Sequence, residues 1–313
     1  MKYGVLVNNN SKNYGDDIQS LAAMRLLPQI DYFIDREKTN DFHTNEHVKF
    51  ICNGWFMDHP DNWPPDKNLI PIFISFHVTD SNKSSDKLIN RKLFEYYKQF
   101  EPIGCRDFNT VSLFKKIGIE AYFSGCLTLT LENKYPNSSR TDEILLVDPV
   151  NHLLPEKFAN KIISRLIPES IKPNIRHISH YHENIKDYED NIIQAENLLE
   201  SYSKAHLIIT SRIHAALPAI ALGTPVLFID LGYNTVKSRS RFGGLLNLFH
   251  TIDNHDFPFT GIDYFSKIYR KLSLYDIYYP HKSFKFDWEN PPPPHDYFKH
   301  LAFTIKKKVF EFL

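Results

Sequence analysis

The residues best suited to chemistry are Arg212 and His214, which lie two positions apart directly after the apolar run 207–210. Ser211 precedes them and can cap a helix, and a segment of small residues follows. A helix N-terminus attracts anions through its free amides and its dipole, and an imidazole exchanges protons near neutral pH. We therefore interpret this cluster as an anion site with an acid/base group.

A second arginine, Arg106, ends the predicted strand 102–106 and is followed by Asp107, which we predict to be the N-cap of the next helix. A guanidinium at a strand end can hold a carboxylate or a phosphate through paired donors. It can equally well pair with a neighbouring acidic side chain. The sequence leaves both roles open for Arg106.

The first predicted helix opens with Asn13, Gly15 and Asp16 after a short polar loop. Gly15 permits a close backbone approach, and the helix N-terminus can hold an anion or a sugar hydroxyl. The alternative is purely structural, with Asp16 or Asp17 capping the helix.

Other polar and aromatic residues are weaker candidates. Asn53, Trp55 and His77 stand near strand ends, where Trp55 can offer its ring to a sugar and the other two can reach a hydroxyl. Structural roles explain these three slightly better. A surface position is favoured for the basic residues Lys237, Arg239 and Arg241, rather than a second phosphate contact, and for the histidines His177, His180 and His182.

The elements that position these residues alternate between short apolar runs and longer segments of helical period, which is typical of α/β proteins with parallel sheets. Strands are predicted over 3–8, 31–34, 48–53, 70–77, 102–106, 120–124, 143–148, 175–180, 206–211 and 225–230. Helices are predicted over 16–27, 85–100, 108–117, 155–167, 187–205, 212–222 and 295–312. Ligands of such sheets bind beyond the carboxyl ends of the strands, where these candidates stand.

A polar, turn-rich stretch, 133–141, separates two similar α/β patterns. We predict a Rossmann-like domain over 1–135, a second over 142–290, and a proline spacer with a terminal helix over 291–313. The chain length of 313 residues fits two domains.

Composition and missing motifs exclude several function classes. The 37 Lys and Arg residues balance 37 Asp and Glu residues, so no net field recruits a nucleic acid. Glycine-rich dinucleotide, phosphate-loop, zinc-protease and nucleophile-elbow motifs are absent, and no ligand cluster calls for a metal. Three separated cysteines and the lack of a signal-peptide pattern predict a cytoplasmic protein, compatible with peripheral contact at the inner face of the membrane.

Taken in order, these motifs resemble the polysaccharide pyruvyl transferase family. The matching segments are Asn13 to Asp16, 104–107 with Ser112, 211–217 and 223–226. The Arg212-x-His214 helix start is the most specific of them. The chain departs from the family at 53–55 and 124–126, where the family often carries a glycine-rich stretch and a Pro-Asp pair. Both departures bear on the acceptor more than on the donor.

The resemblance implies two facing Rossmann-like domains, as in GT-B glycosyltransferases, with the terminal helix packed on the first. It implies transfer of the pyruvyl group of phosphoenolpyruvate, a donor substrate rather than a cofactor, onto a sugar or lipid-linked oligosaccharide as a cyclic ketal. The first domain then lies on the acceptor side and the second on the donor side.

On that basis Arg106 and Arg212 hold the doubly charged donor, His214 is the acid/base, and Asp16 is a base or a partner of the acceptor hydroxyl. The further substrate contacts are Asn13, Gly15, Ser211, Asn53, Trp55 and His77. Two alternatives stay open. One is a GT-B-type glycosyltransferase that uses a nucleotide sugar. The other is a non-catalytic glycan-binding module, which would need neither Arg212 nor His214 for a neutral sugar.

Overall fold

The structure is a computed structural model that describes residues 1–9, 11–79, 84–135, 140–150, 156–182, 187–231, 233, 239–253 and 285–313. Parts of the sequence predictions lie outside these ranges: residues 136–139 of the linker, Pro155, Lys237 and the stretch 254–284.

Eleven strands of the described residues form two parallel sheets. The first sheet contains β1 Lys2–Val7, β2 Tyr32–Asp35, β3 Val48–Phe56, β4 Leu69–Val78, β5 Ile103–Cys105 and β6 Ala121–Phe123, in the order β2-β1-β3-β4-β5-β6. The second contains β7 Ile144–Val147, β8 Ile175–Ile178, β9 Leu207–Thr210, β10 Val226–Ile229 and β11 His250–Ile252, in the order β11-β10-β9-β7-β8. The predicted α/β class is confirmed.

The described helices connect and cover these strands. They are α1 Tyr14–Met24, α2 Ser84–Leu88, α3 Phe94–Lys98, α4 Phe108–Lys116, α5 Glu156–Leu166, α6 Tyr188–Lys204, α7 Ile213–Ala221 and α8 Tyr297–Phe312.

Two predicted elements differ from the structure. The helix expected over 85–100 is broken around Asn90, whose side chain accepts a hydrogen bond from the Lys92 amide at 2.9 Å and donates to the Asp86 and Lys87 carbonyls. Such local side-chain bonds offer the backbone an alternative to a continuous helix. Strand β11 was not predicted, because its three residues are too short to show a period.

The pairing registers bring the strand ends of the first sheet level with one another. Trp55 of β3 pairs with His77 of β4, and Phe76 pairs with Cys105, the residue before Arg106. Polar groups that follow different strands are therefore collected at one edge.

One hydrophobic core runs through both halves of the chain. It includes Ile18 of α1, Leu199 of α6, Leu217 of α7 and Leu301 of α8, together with side chains of both sheets. Burial of such apolar surface is the main favourable contribution to folding. Because α1 and α7 share this core, their N-termini are held in a fixed relation.

The C-terminal helix packs back on the N-terminal half, as the sequence predicted. Lys49 of β3 donates to the carbonyl oxygens of Phe312 at 2.5 Å and Leu313 at 3.2 Å. Leu301 lies so close to Gly125 that a Cβ there would be 3.0 Å from its Cδ1. Cations at the last carbonyls of a helix also favour its dipole.

Candidate active site

The starts of α1 and α7 meet, although they follow strands of different sheets. A Cβ on Gly15 would lie 3.0 Å from the Cβ of His214 and 3.3 Å from its Nδ1. This approach requires a residue without a side chain, which explains Gly15. The carboxyl ends of β1 and β9 therefore contribute to one site.

Arg106 is fully buried at this site, directly after β5. None of its three guanidinium nitrogens has a hydrogen-bond partner among the described residues. Burial, and after it repulsion from Arg241, lower the pKa of Arg106 to about 10, while Asp107 and Asp16 act in the opposite direction. Buried charges are normally paired, so a cation with five free N–H donors indicates a site built for an anion.

His77 and Asp107 form a buried pair beside Arg106, with 2.5 Å between His77 Nδ1 and Asp107 Oδ2. Burial, followed by the charge of Arg106, lowers the pKa of His77 to about 4. Burial alone would raise the pKa of Asp107, but His77, Arg106 and the Thr110 amide outweigh it and lower the pKa. Asp107 is the N-cap of α4, as predicted: its Oδ1 accepts a hydrogen bond from the Thr110 amide at 2.9 Å.

His214 is 8% exposed, and its Nε2 has no hydrogen-bond partner in the part of the chain that the structure describes. Its Nδ1 lies 3.3 Å from Nε2 of Gln19, a residue of α1. Burial, and then the charges of Arg106 and Arg241, hold the pKa of His214 well below its usual value. The imidazole is therefore neutral at pH 7 in the free protein.

Arg212 is more accessible than Arg106, with 18% of its side chain exposed. It is the N-cap residue of α7, and its Nε donates to Asp148 Oδ2 at 3.2 Å. Its guanidinium stacks on the Tyr181 ring at 4.2 Å and donates to the Tyr181 hydroxyl. Among the described residues Arg212 is therefore paired, whereas Arg106 is not.

Ser211 does not cap α7, contrary to the sequence prediction. Its hydroxyl donates instead to the carbonyl of Asp148 at 2.8 Å, which ties β9 to the end of β7. At α1 the cap is Asn13, whose Oδ1 accepts from the Gly15 amide at 3.1 Å, so neither Asp16 nor Asp17 has that role.

Asp16 is held by three side chains at the edge of the site. Ser11 donates to Oδ2 at 2.7 Å, Arg36 Nη1 donates to Oδ1 at 3.2 Å, and Gln19 approaches Oδ1 at 3.4 Å. Arg36 lies 5.6 Å from the ring centroid of Trp55, whose Nε1 donates to Thr79. Asn53 is buried, and its Oδ1 has no partner within the described ranges.

A segment of the C-terminal half packs against the residues that follow Arg106. The amide of Phe108, two residues after Arg106, donates to the Gly243 carbonyl at 3.2 Å. A Cβ on Gly244, which has φ of +89°, would lie 2.8 Å from the Phe123 ring. Arg239 instead pairs with Asp230 at 2.5 Å. Arg241 is exposed, as the sequence favoured, and its positive charge nevertheless lowers the pKa of Arg106.

The family model for polysaccharide pyruvyl transferases matches residues 13–233. The chain belongs to this family. The matched range begins at the N-cap of α1 and includes Arg106, Arg212 and His214, and it ends before Arg241. As a member of the polysaccharide pyruvyl transferase family, the protein is a transferase of polysaccharide biosynthesis with a polysaccharide acceptor.

Other comparisons add less. No curated protein matches the chain. A solved structure of an uncharacterized protein from Klebsiella pneumoniae subsp. pneumoniae is 16% identical, covers 80% of this chain and 92% of its own, and has a TM-score of 0.46.

No three His, Cys, Asp or Glu side chains in the described ranges are grouped so as to hold a metal ion. In the part of the chain that the structure describes, no helix has both the length and the apolar character needed to span a bilayer.

The sequence missed several residues of this pyruvyl transferase family site. His180 was expected at the surface but is fully buried, with Nε2 2.5 Å from the Tyr202 hydroxyl, and burial lowers its pKa to about 4. Arg36 and Asp148 follow β2 and β7, so the strand-end rule applied to every strand would have found both. Gln19 lies one helical turn after Gly15, and helical periodicity places it on the same face.

Proposed function

We propose that the protein transfers the pyruvyl group of phosphoenolpyruvate onto two hydroxyls of one sugar in a polysaccharide or its lipid-linked precursor. The products are a cyclic ketal and inorganic phosphate. The observation that carries the proposal is Arg106, a fully buried guanidinium without a partner among the described residues. Its charge acts on His214, whose Nε2 also has no partner within the described ranges.

The charges of the donor match those of the site. Phosphoenolpyruvate carries a carboxylate and a phosphate, so its pocket needs at least two cations in a protein of zero formal net charge. Arg106 binds one anionic group with its free donors. Arg212 and Arg241 supply positive charge for the second group.

The reaction needs proton transfer at two points, and we assign it to His214. The first sugar hydroxyl adds to C2 of the enol phosphate and loses its proton, while the C3 methylene gains a proton and becomes a methyl group. The second hydroxyl then displaces phosphate from C2 and closes the ring, and its proton leaves with the phosphate. Asp16 serves as the partner of an acceptor hydroxyl, and Trp55 and Asn53 lie on that side.

The architecture we propose is of the GT-B kind, with donor and acceptor between the two sheets. Residues 1–135 form the acceptor side and residues 142–290 the donor side. Asn13, Gly15, Ser211 and His77 belong to the substrate pocket. We place the reaction in the cytoplasm, at the inner face of the membrane, where a lipid-linked acceptor is available.

Ligand-induced stabilisation tests the donor directly. Phosphoenolpyruvate at about 100 times its Kd should add about 2.7 kcal/mol of stability and raise Tm by several degrees. A panel of nucleotide sugars should leave Tm unchanged, and phosphate should be released only with an acceptor glycan. Stabilisation by a nucleotide sugar instead would favour the glycosyltransferase alternative, and glycan binding without phosphate release would favour a binding module.

Arg212→Ala should abolish turnover with little loss of stability. The Arg212–Asp148 pair is partly exposed, so its removal should cost about 1 kcal/mol or less. Thermal melting and phosphate release measure the two effects, with Arg176→Ala as a control because Arg176 also pairs with an acid, Glu143. Collapse of the fold in Arg212→Ala alone would show a structural arginine.

A further inference from the structure

The proposed chemistry leaves one question open at His214, namely which ring nitrogen carries the proton. A neutral imidazole has one N–H, and the hydrogen bond at one nitrogen decides the state of the other. In this protein the group at Nδ1 comes from the opposite half of the chain, because Gln19 belongs to α1.

The surroundings of Gln19 determine the orientation of its amide. Its nitrogen lies 3.1 Å from the Gly15 carbonyl, 3.4 Å from Asp16 Oδ1 and 3.3 Å from His214 Nδ1. The first two of these groups can only accept hydrogen bonds, so the nitrogen, a donor, must face them. The amide nitrogen therefore also faces His214. Its two N–H bonds are best directed to the two shorter contacts, the Gly15 carbonyl and Nδ1, and an amide nitrogen cannot accept, so Nδ1 is the acceptor.

The oxygen of the same amide is accommodated by Gly54. A Cβ there would lie 3.2 Å from Gln19 Oε1, and Gly54 has φ of +92°, a conformation that favours glycine. Gln19 itself is 3% exposed. Its amide is thus enclosed on both sides and cannot exchange its ends freely.

We propose that Gln19 is a positioning residue that holds His214 as the neutral tautomer protonated on Nε2, so that the free N–H points into the donor site. The role of this proton in catalysis rests on the proposed function, whereas the tautomer does not. Four other groups act on the ring from the elements around it: His77, Arg106, His180 and Arg241. All four lower the pKa of His214 and so favour the neutral ring, in which only one nitrogen carries a proton.

Nitrogen-15 NMR of the histidine rings tests this without any substrate. In the wild-type protein, the His214 resonances, assigned by their loss in His214→Gln, should show a protonated Nε2 and a bare Nδ1 at pH 7. This measurement needs no variant at position 19. A bare Nε2 in the free wild-type protein would overturn the proposal.

Gln19→Glu should reverse the tautomer, because a carboxylate accepts and cannot donate. The proton should then lie on Nδ1 and the pKa of His214 should rise by at least about one unit, since a nearby opposite charge favours the protonated ring. The kcat should fall by about 100-fold or more at pH 7, the scale of lost acid/base catalysis, with its pH profile displaced upward and donor binding kept. An unchanged tautomer in a folded Gln19→Glu would contradict the inference.

The matched control is Gln99→Glu. Gln99 is exposed, donates a hydrogen bond to the Glu95 carbonyl, and is far from Gln19 and His214 in the chain. It should leave the His214 resonances, pH profile and kcat unchanged. The tautomer assignment and the proposed function can be disproved independently of each other. Full activity of His214→Gln would remove His214 from the reaction while leaving the tautomer assignment intact.

Discussion

Arg106→Met is expected to abolish phosphoenolpyruvate binding while the free protein stays as stable as the wild type or becomes more stable. The wild-type guanidinium is buried without a partner among the described residues, so the unliganded fold bears the desolvation cost of the charge. Methionine fills a similar volume without that charge. Replacement of buried charges by apolar side chains is often neutral or stabilising by about 1–4 kcal/mol.

The loss of donor affinity should be large, because the anionic group of the donor that binds Arg106 is desolvated together with the guanidinium. Truncating one member of such a pair costs about 2–5 kcal/mol, which is about 30-fold or more in Kd. The measurement is Tm with and without phosphoenolpyruvate: the ligand-induced rise should vanish in Arg106→Met. Arg91→Met, a substitution at an exposed position, should keep the rise.

Arg106→Lys separates charge from geometry. Lysine keeps the positive charge but lacks the planar fork that binds a carboxylate or phosphate through two donors. We expect Arg106→Lys to bind the donor with an affinity between those of the wild type and Arg106→Met. Undiminished stabilisation of Arg106→Met by phosphoenolpyruvate would show that the donor binds elsewhere.

His214→Gln should retain donor binding and lose turnover by about 100-fold to 10,000-fold, the usual contribution of a general acid/base. The glutamine amide can keep a hydrogen bond but cannot carry a proton between substrate atoms. Donor-induced Tm shifts and phosphate release measure the two effects. His43→Gln, at a position 80% exposed, is the matched control. Near-normal turnover of His214→Gln would exclude the histidine from the reaction.

The pH dependence of the wild-type enzyme should report the titration of His214. The pKa of His214 is lowered in the free protein by burial and by Arg106 and Arg241, so the acid limb of kcat/KM that it causes should lie below pH 6.5. A bound donor brings negative charge to the arginines, which favours a protonated imidazole. The corresponding limb of kcat should therefore lie at higher pH.

Much of the fold was predictable from local pattern. All strands except β11, and most helices, follow from apolar runs and helical periods that a single segment contains, as in β9 followed by α7. The break at Asn90 was not predictable from period, because its side-chain bonds to Asp86, Lys87 and Lys92 depend on local geometry. The roles of Arg212 and His214 as donor and proton-transfer groups stay predictions.

Short stretches of sequence already predict the α/β class, the strand-to-helix junctions and the charged residues at them, since each depends on neighbours within a few positions. Which junctions meet depends on the folded chain. Gly15 and Gln19 lie beside His214, although they are far from it in the chain. The lack of a partner for Arg106 among the described residues likewise depends on distant segments. Burial and distance are properties of the packed core. These two quantities distinguish Arg106, which has no partner within the described ranges, from the paired Arg212.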